Sequence, residues 1–142
     1  MYYVSKEIHF CYGHRLMHYD GACKNLHGHN GKVEIHLKKN TLDKRHILHD
    51  FGDIKQMIKS WIDETLDHKM LLCKNDPLAK TLRKLGEPVY LFETNPTAEA
   101  IAKLIYDECA LKKLPIDEVK LWETETSWAS YTKTLRQAQG TT

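Results

Sequence analysis

Residues 31–38 read Gly-Lys-Val-Glu-Ile-His-Leu-Lys. Val33, Ile35 and Leu37 fall on one side of an extended chain, and Lys32, Glu34 and His36 on the other. This period-two alternation predicts a strand that covers a core with one face and meets solvent with the other. The pattern recurs over 2–10, where Val4, Ile8 and Phe10 oppose Ser5, Glu7 and His9. Between the two strands lies the polar stretch HRLMHYDGACKNLHGHN, residues 14–30, too long for a tight hairpin turn. Connections of that length within a small domain commonly carry function.

Moving outward, the period changes from about Asp53. Ile54, Met57, Ile58, Trp61, Ile62 and Leu66 recur at helical spacing and form one apolar stripe. Asn95-Pro96-Thr97 signals the start of a second helix, which runs through AEAIAKLIYDECA, buries Ala98, Ile101 and Ile105, and stops at Leu114-Pro115. Period two then returns: Val119 and Leu121 alternate with Lys120 and Trp122, and Trp128 to Leu135 reads as a partner strand. The order predicts an α+β domain over residues 1–136, a four-stranded antiparallel sheet with two helices on one face, followed by a frayed tail at 137–142. One face of such a sheet has no helical cover and its outer strands have no partners. Homo-oligomerisation is the expected way to bury both.

A chain of 142 residues suits one domain, and 42% hydrophobic with 28% charged residues is ordinary for a soluble globular protein. The net charge of +2 is too weak to indicate a nucleic-acid partner. No apolar run approaches the ~18 residues needed to span a bilayer, so no membrane role is expected. MYYVSKEIHF alternates and carries charge, unlike a signal or transit peptide, which leaves a cytoplasmic location as the expectation. The four cysteines form no C-x-x-C pair and are read as reduced thiols.

Histidine is the unusual residue, with nine in the chain and six of them at positions 9, 14, 18, 27, 29 and 36. His27-Gly28-His29 places two imidazoles on the same side of an extended segment, and Gly28 removes a side chain between them. His14 can supply a third ligand. Three histidines leave one tetrahedral position open, as in catalytic zinc sites. Cys23, four residues before His27, is either a fourth, structural ligand, a buried inert thiol, or a thiolate acting as base or nucleophile beside the ion and Lys24. Asp67-His68 pairs a carboxylate with a histidine, suited to acid–base work or to a helix end. Glu123 shares a strand face with Val119 and Leu121, where an unpaired carboxylate is costly; it therefore needs a salt-bridge partner or a ligand with N–H donors.

Together, His14-Arg15-Leu16, Cys23-x-x-x-His27-Gly28-His29-Asn30, Asp50-Phe51, Leu66-Asp67-His68, Asn95-Pro96-Thr97-Ala98-Glu99 and Trp122-Glu123-Thr124 resemble, in type and order, the 6-pyruvoyltetrahydropterin synthase-like proteins. The resemblance covers about Tyr3 to Tyr131. The three residues between Cys23 and His27 resemble the bacterial 6-carboxytetrahydropterin synthase branch of queuosine biosynthesis. The resemblance implies a tunnelling fold whose subunits join sheets into barrels, as trimers or hexamers with shared active sites. It implies zinc on His14, His27 and His29, Cys23 as base, Asp67 and His68 as proton shuttle, and Glu123 as the pterin anchor. Thr97 and Glu99 would line the pocket. The implied substrate is 7,8-dihydroneopterin triphosphate and the implied products are 6-carboxytetrahydropterin, acetaldehyde and triphosphate. Triphosphate elimination to a 6-pyruvoyl product, and a non-catalytic zinc module with Cys23 as fourth ligand, are the alternatives.

The chain departs from the family pattern in places. Phe10-Cys11-Tyr12-Gly13-His14 stands where the family often has Phe-Ser-Ala-Ala-His, and His49 where an apolar residue is usual. Residues 72–92, with Pro77, Gly86 and Pro88, exceed the minimal version and suggest a lid or an oligomer contact. Arg15, Lys24 and Lys32 are candidates to hold the triphosphate.

Overall fold

The computed structural model describes residues 1–133. The expected end of the last strand at Leu135 and the tail from Gln137 lie outside the described residues. Among the described residues six strands form one sheet: β1 (Tyr2–His14), β2 (His27–Lys39), β3 (Lys69–Cys73), β4 (Val89–Phe92), β5 (Ile116–Trp122) and β6 (Trp128–Tyr131), in the order β4-β3-β1-β2-β5-β6. The β1–β2, β2–β5 and β5–β6 pairs are antiparallel, whereas β3 runs parallel to both β1 and β4. The sheet is therefore larger than the expected four strands and is mixed. β3 and β4 read MLLC and VYLF in their apolar parts. Leu71, Leu72 and Cys73 are all buried, so no alternation marks these strands in the sequence.

The segment read as a lid or an oligomer contact folds as a strand–helix–strand unit, β3, α3 (Pro77–Lys84) and β4. The other helices are a continuous stretch of α1 (Phe51–Ile54), a π-helical turn (Lys55–Lys59) and α2 (Ser60–Thr65), and then α4 (Ala98–Leu111). Asp50 caps the first by accepting from the Gly52 and Asp53 N–H groups, and Thr97 caps α4 by accepting from that of Ala100. Their apolar rows, Ile54, Ile58 and Ile62 and then Ile101, Ile105 and Cys109, pack on Ile8, Phe10, Val33, Ile35, Val119 and Leu121 of the sheet. Each such side chain contributes about 1.5–3 kcal/mol on burial. Burial also pushes the Cys109 thiol up to about 12, so it stays protonated and inert.

β1 and β2 are longer than the alternation predicts. Their ladder runs from Tyr2 opposite Lys39 to His14 opposite His27, so the three histidines stand on strand ends and only residues 15–26 connect them. Within that connection Ala22–Lys24 is a 3₁₀ turn carrying Cys23. Beyond Tyr12–His14, β1 has no strand partner on its β3 side among the described residues.

Arg15 and Asp76 tie the end of β1 to α3. The buried Asp76 carboxylate takes both Nε (2.7 Å) and an Nη of Arg15 and also accepts from the Leu78 N–H at the start of α3. The Arg15 guanidinium, helped by Leu78 N–H and opposed by burial, holds this carboxyl below the usual carboxylate range. Because the folded state binds this proton less readily than the unfolded chain, the pair's stabilisation is complete above the unfolded pKa of about 4 and is lost as pH falls through the lower folded value. Asp76→Asn is expected to destabilise the protein by about 2 kcal/mol at pH 7. Thermal unfolding of both proteins across pH checks this: the gap should narrow below about pH 4, and a gap independent of pH would contradict it.

Candidate metal centre

β1 and β2 deliver the three histidines. His27 and His29 leave β2 on one face, and His14, directly opposite His27, leaves β1 on the same face. This is the core face, and His14 is only 2% exposed. Ring centroids are 4.5 Å apart for His14 and His27, and 5.0 Å apart for His29 with either. One ring nitrogen of each lies within 4.8 Å of the other two.

Backbone carbonyls decide which nitrogen turns inward. The Pro96 carbonyl accepts from His14 Nδ1, and the Asn25 carbonyl from His27 Nδ1, both at 2.7 Å. With Nδ1 donating, Nε2 of each ring carries a lone pair toward the cluster. His14 Nε2 stands 3.2 Å from His29 Nε2, while His27 Nε2 is buried with no hydrogen-bond partner. Burial, reinforced by the neighbouring imidazoles and opposed by the Pro96 carbonyl and Glu123, lowers the His14 pKa. A His14 ring held neutral, outer nitrogens of His14 and His27 pinned by carbonyls, and the orphaned His27 Nε2 fit a divalent transition metal.

Glu123, just past β5, closes in on this cluster. Its Oε1 is 3.9 Å from His14 Nε2 and its Oε2 is 3.9 Å from His29 Nε2. Tyr12 donates its hydroxyl to Oε1 at 3.5 Å while its ring packs edge-on against His14. Burial and then the Glu123 charge raise the Tyr12 pKa far above its ordinary value, so the phenol remains a donor.

Asp67 and His68 occupy the turn before β3, clamped to Cys11. Asp67 Oδ1 accepts from the Cys11 N–H at 3.0 Å, the His68 N–H donates to the Cys11 carbonyl at 2.8 Å, and His68 Nδ1 donates to Asp67 Oδ2 at 2.7 Å. His68 has φ +59°, a left-handed conformation that these bonds hold in place. Burial works to raise the Asp67 carboxyl, but the Cys11 N–H and His68 outweigh it and keep it below the usual carboxylate range. The Cys11 side chain alternates with those of Tyr12 and His14 and so stands on the opposite face of β1.

A cleft of about 730 Å³ opens between these groups, lined by Cys11, His27, His29, His68, Met70 and Leu82. A second of about 580 Å³ is lined by His29, Lys32, Trp122 and Glu123. Gly28, opposite Gly13 in the register, borders both. It faces away from the imidazoles, so its missing side chain opens the cleft and does not separate the two rings.

Among the described residues, Cys23 is outside the converging donor set. Its carbonyl accepts from the Leu16 N–H, which folds the 15–26 connection back on itself. Thr97 uses its hydroxyl as the α4 cap, and Glu99 is exposed in the first turn of that helix; neither is among the residues lining the two clefts. Arg15, a candidate for the triphosphate, is engaged by Asp76. Sequence reading missed Tyr12 as the partner of Glu123. It also missed the Pro96 and Asn25 carbonyls, for which residue type gives no signal.

Residues 3–134 match the family described as 6-pyruvoyl tetrahydropterin synthase. A relative from Rickettsia conorii named 6-carboxy-5,6,7,8-tetrahydropterin synthase is 35% identical over 127 residues, covering 84% of this chain and 92% of its own. Relatives of the same name from Haemophilus influenzae and Aquifex aeolicus are 32% and 33% identical, covering 92% and 90% of this chain and 99% and 96% of their own. Among solved structures, an uncharacterized Wolinella succinogenes protein superposes with a TM-score of 0.75 at 28% identity, covering 94% of this chain and 98% of its own. The 6-pyruvoyl tetrahydropterin synthase of Caenorhabditis elegans, at TM-score 0.69 and 21% identity over 94% of this chain and 96% of its own, shares the fold. On the family match over nearly its whole length, this chain belongs to the 6-pyruvoyl tetrahydropterin synthase family.

Proposed function

We infer that this protein is a zinc-dependent carbon–carbon lyase that converts 7,8-dihydroneopterin triphosphate to 6-carboxy-5,6,7,8-tetrahydropterin, acetaldehyde and triphosphate, in the cytoplasmic synthesis of queuosine-type 7-deazapurines. The observation that carries this reading is the convergence of His14, His27 and His29, with the outer nitrogens of His14 and His27 pinned by carbonyls and the Glu123 carboxylate at their side. The names of relatives at 32–35% identity favour a 6-carboxy over a 6-pyruvoyl product.

Zinc bound by the three imidazoles supplies Lewis-acid chemistry, polarising the substrate's side-chain oxygens and lowering their pKa. Glu123 accepts hydrogen bonds from the pterin amino group and ring N–H, and Tyr12 steadies the carboxylate that does so. Cys23, on a turn outside the ligand set, takes a proton from the side-chain carbon next to the ring as thiolate. His68, oriented by Asp67 through its Nδ1, moves a proton on the opposite side. Asp67 and His68 are clamped to Cys11, and the part of β1 before it has no strand partner on that side among the described residues. A second copy bringing its own such pair to this chain's Glu123 is consistent with a homo-oligomer whose sites are shared between subunits, as trimer or hexamer, within a single domain.

Purified protein incubated with dihydroneopterin triphosphate is expected to release acetaldehyde and 6-carboxytetrahydropterin, both lost with a chelator and restored by zinc. A pyruvoyl product without acetaldehyde would replace this reading with triphosphate elimination. Cys23→Ala should lower turnover by about 10²–10⁴-fold at unchanged zinc content; loss of zinc on that change would instead make Cys23 a ligand. Glu123→Gln should weaken pterin binding by about 10–100-fold while zinc is retained, which direct titration with a pterin measures.

A further inference from the structure

Around the Asp67–His68 turn stands one functional group that the proposed reaction does not use, the Cys11 thiol. One donor atom from each of Cys11, Asp67 and His68 lies within 4.8 Å of the other two, a convergence separate from the three imidazoles. Its spacing is set by backbone, since the Cys11 N–H reaches Asp67 and the Cys11 carbonyl receives the His68 N–H. Cys11 is half-buried and lines the same 730 Å³ cleft as His68, so an ion entering from solvent meets both. The His68 side chain is 77% exposed, and with Nδ1 bound to Asp67 its Nε2 edge is open to such an ion. Asp67, 23% exposed, supplies the anionic oxygen. A thiolate, an imidazole and a carboxylate suit zinc, cadmium or cobalt and disfavour magnesium or calcium.

We propose that Cys11, Asp67 and His68 form a second site for a soft or borderline divalent cation, beside the three-histidine centre and distinct from it. On binding, the Cys11 S–H bond breaks, its proton passes to solvent, and the sulfur's electron pair forms the bond to the ion, so the site fills more readily as pH rises. An ion there also engages His68. On the reading of His68 as proton carrier, an excess of the same metal that activates the enzyme therefore inhibits it.

Cadmium tests this on the full-length protein already carrying one zinc per chain. Equilibrium dialysis is expected to show one further ion per chain, with thiolate-to-cadmium absorption and protection of Cys11 from iodoacetamide in peptide mass spectra. Cys11→Ser should lose the further ion and keep its zinc. No further ion, alkylation of Cys11 at an undiminished rate with cadmium present, or a further ion retained by Cys11→Ser would each overturn the site. Should that variant misfold, alkylation of the unaltered protein decides alone. A bound further ion without loss of turnover sustains the site and counts against His68 as the proton carrier.

Discussion

The register of the β1–β2 ladder is the constraint on which the rest of the molecule depends. Thirteen residues of each strand pair without a bulge, and the ladder ends with His14 facing His27. A slip of one residue would send every side chain of one strand to the other face, which would expose Ile8 and Phe10 and carry His14 away from His27 and His29. The apolar core and the metal centre are thus read from one alternation, and the hydrophobic face that secures the register also secures the ligands. β2 passes this order on to β5, whose register with Lys32 through Leu37 brings Glu123 to the histidines. β1 passes it on to β3, and the turn before β3 presents Asp67 and His68 to Cys11.

The site is held as much by main chain as by side chains. Pro96 precedes α4 and fixes His14 through its carbonyl, so the packing of Ile101 and Ile105 against the sheet also orients an imidazole. Asn25 does the same for His27 from the 15–26 connection. Such outer contacts make the rings better donors and reduce the reorganisation that metal binding requires. Tyr12 adds a third constraint by pressing on His14 while holding Glu123. The ligand set and the carboxylate beside it are therefore joined through one side chain.

Much of this was legible in the residues themselves. Alternation exposed β1, β2, β5 and β6, and the Ile54–Leu66 stripe and the Asn95-Pro96-Thr97 signal exposed the long helices. β3 escaped because a parallel strand covered on both faces loses the period-two mark, and β4 because its four residues are all apolar, leaving short runs that a helix or loop could also carry. Strand ends rich in histidine and glycine looked like loop, since local propensity is overridden there by a register set further along the ladder. The histidine trio was visible from its spacing. The clamp of Asp67 and His68 on Cys11 was not, because it joins positions 56 residues apart through backbone groups that every residue possesses. The pairing of Arg15 with Asp76 was hidden for the same reason, the two being 61 residues apart.

An open, all-nitrogen protein ligand set that leaves Cys23 free is what the metal centre turns on. X-ray absorption at the zinc edge tests it most directly, on Cys11→Ser protein loaded with a single equivalent of zinc. The expected first shell is nitrogen and oxygen alone at about 2.0–2.1 Å, with imidazole scattering from three rings. A sulfur neighbour at about 2.3 Å would contradict it, closing the site with Cys23 and ending the case for that thiol as the base.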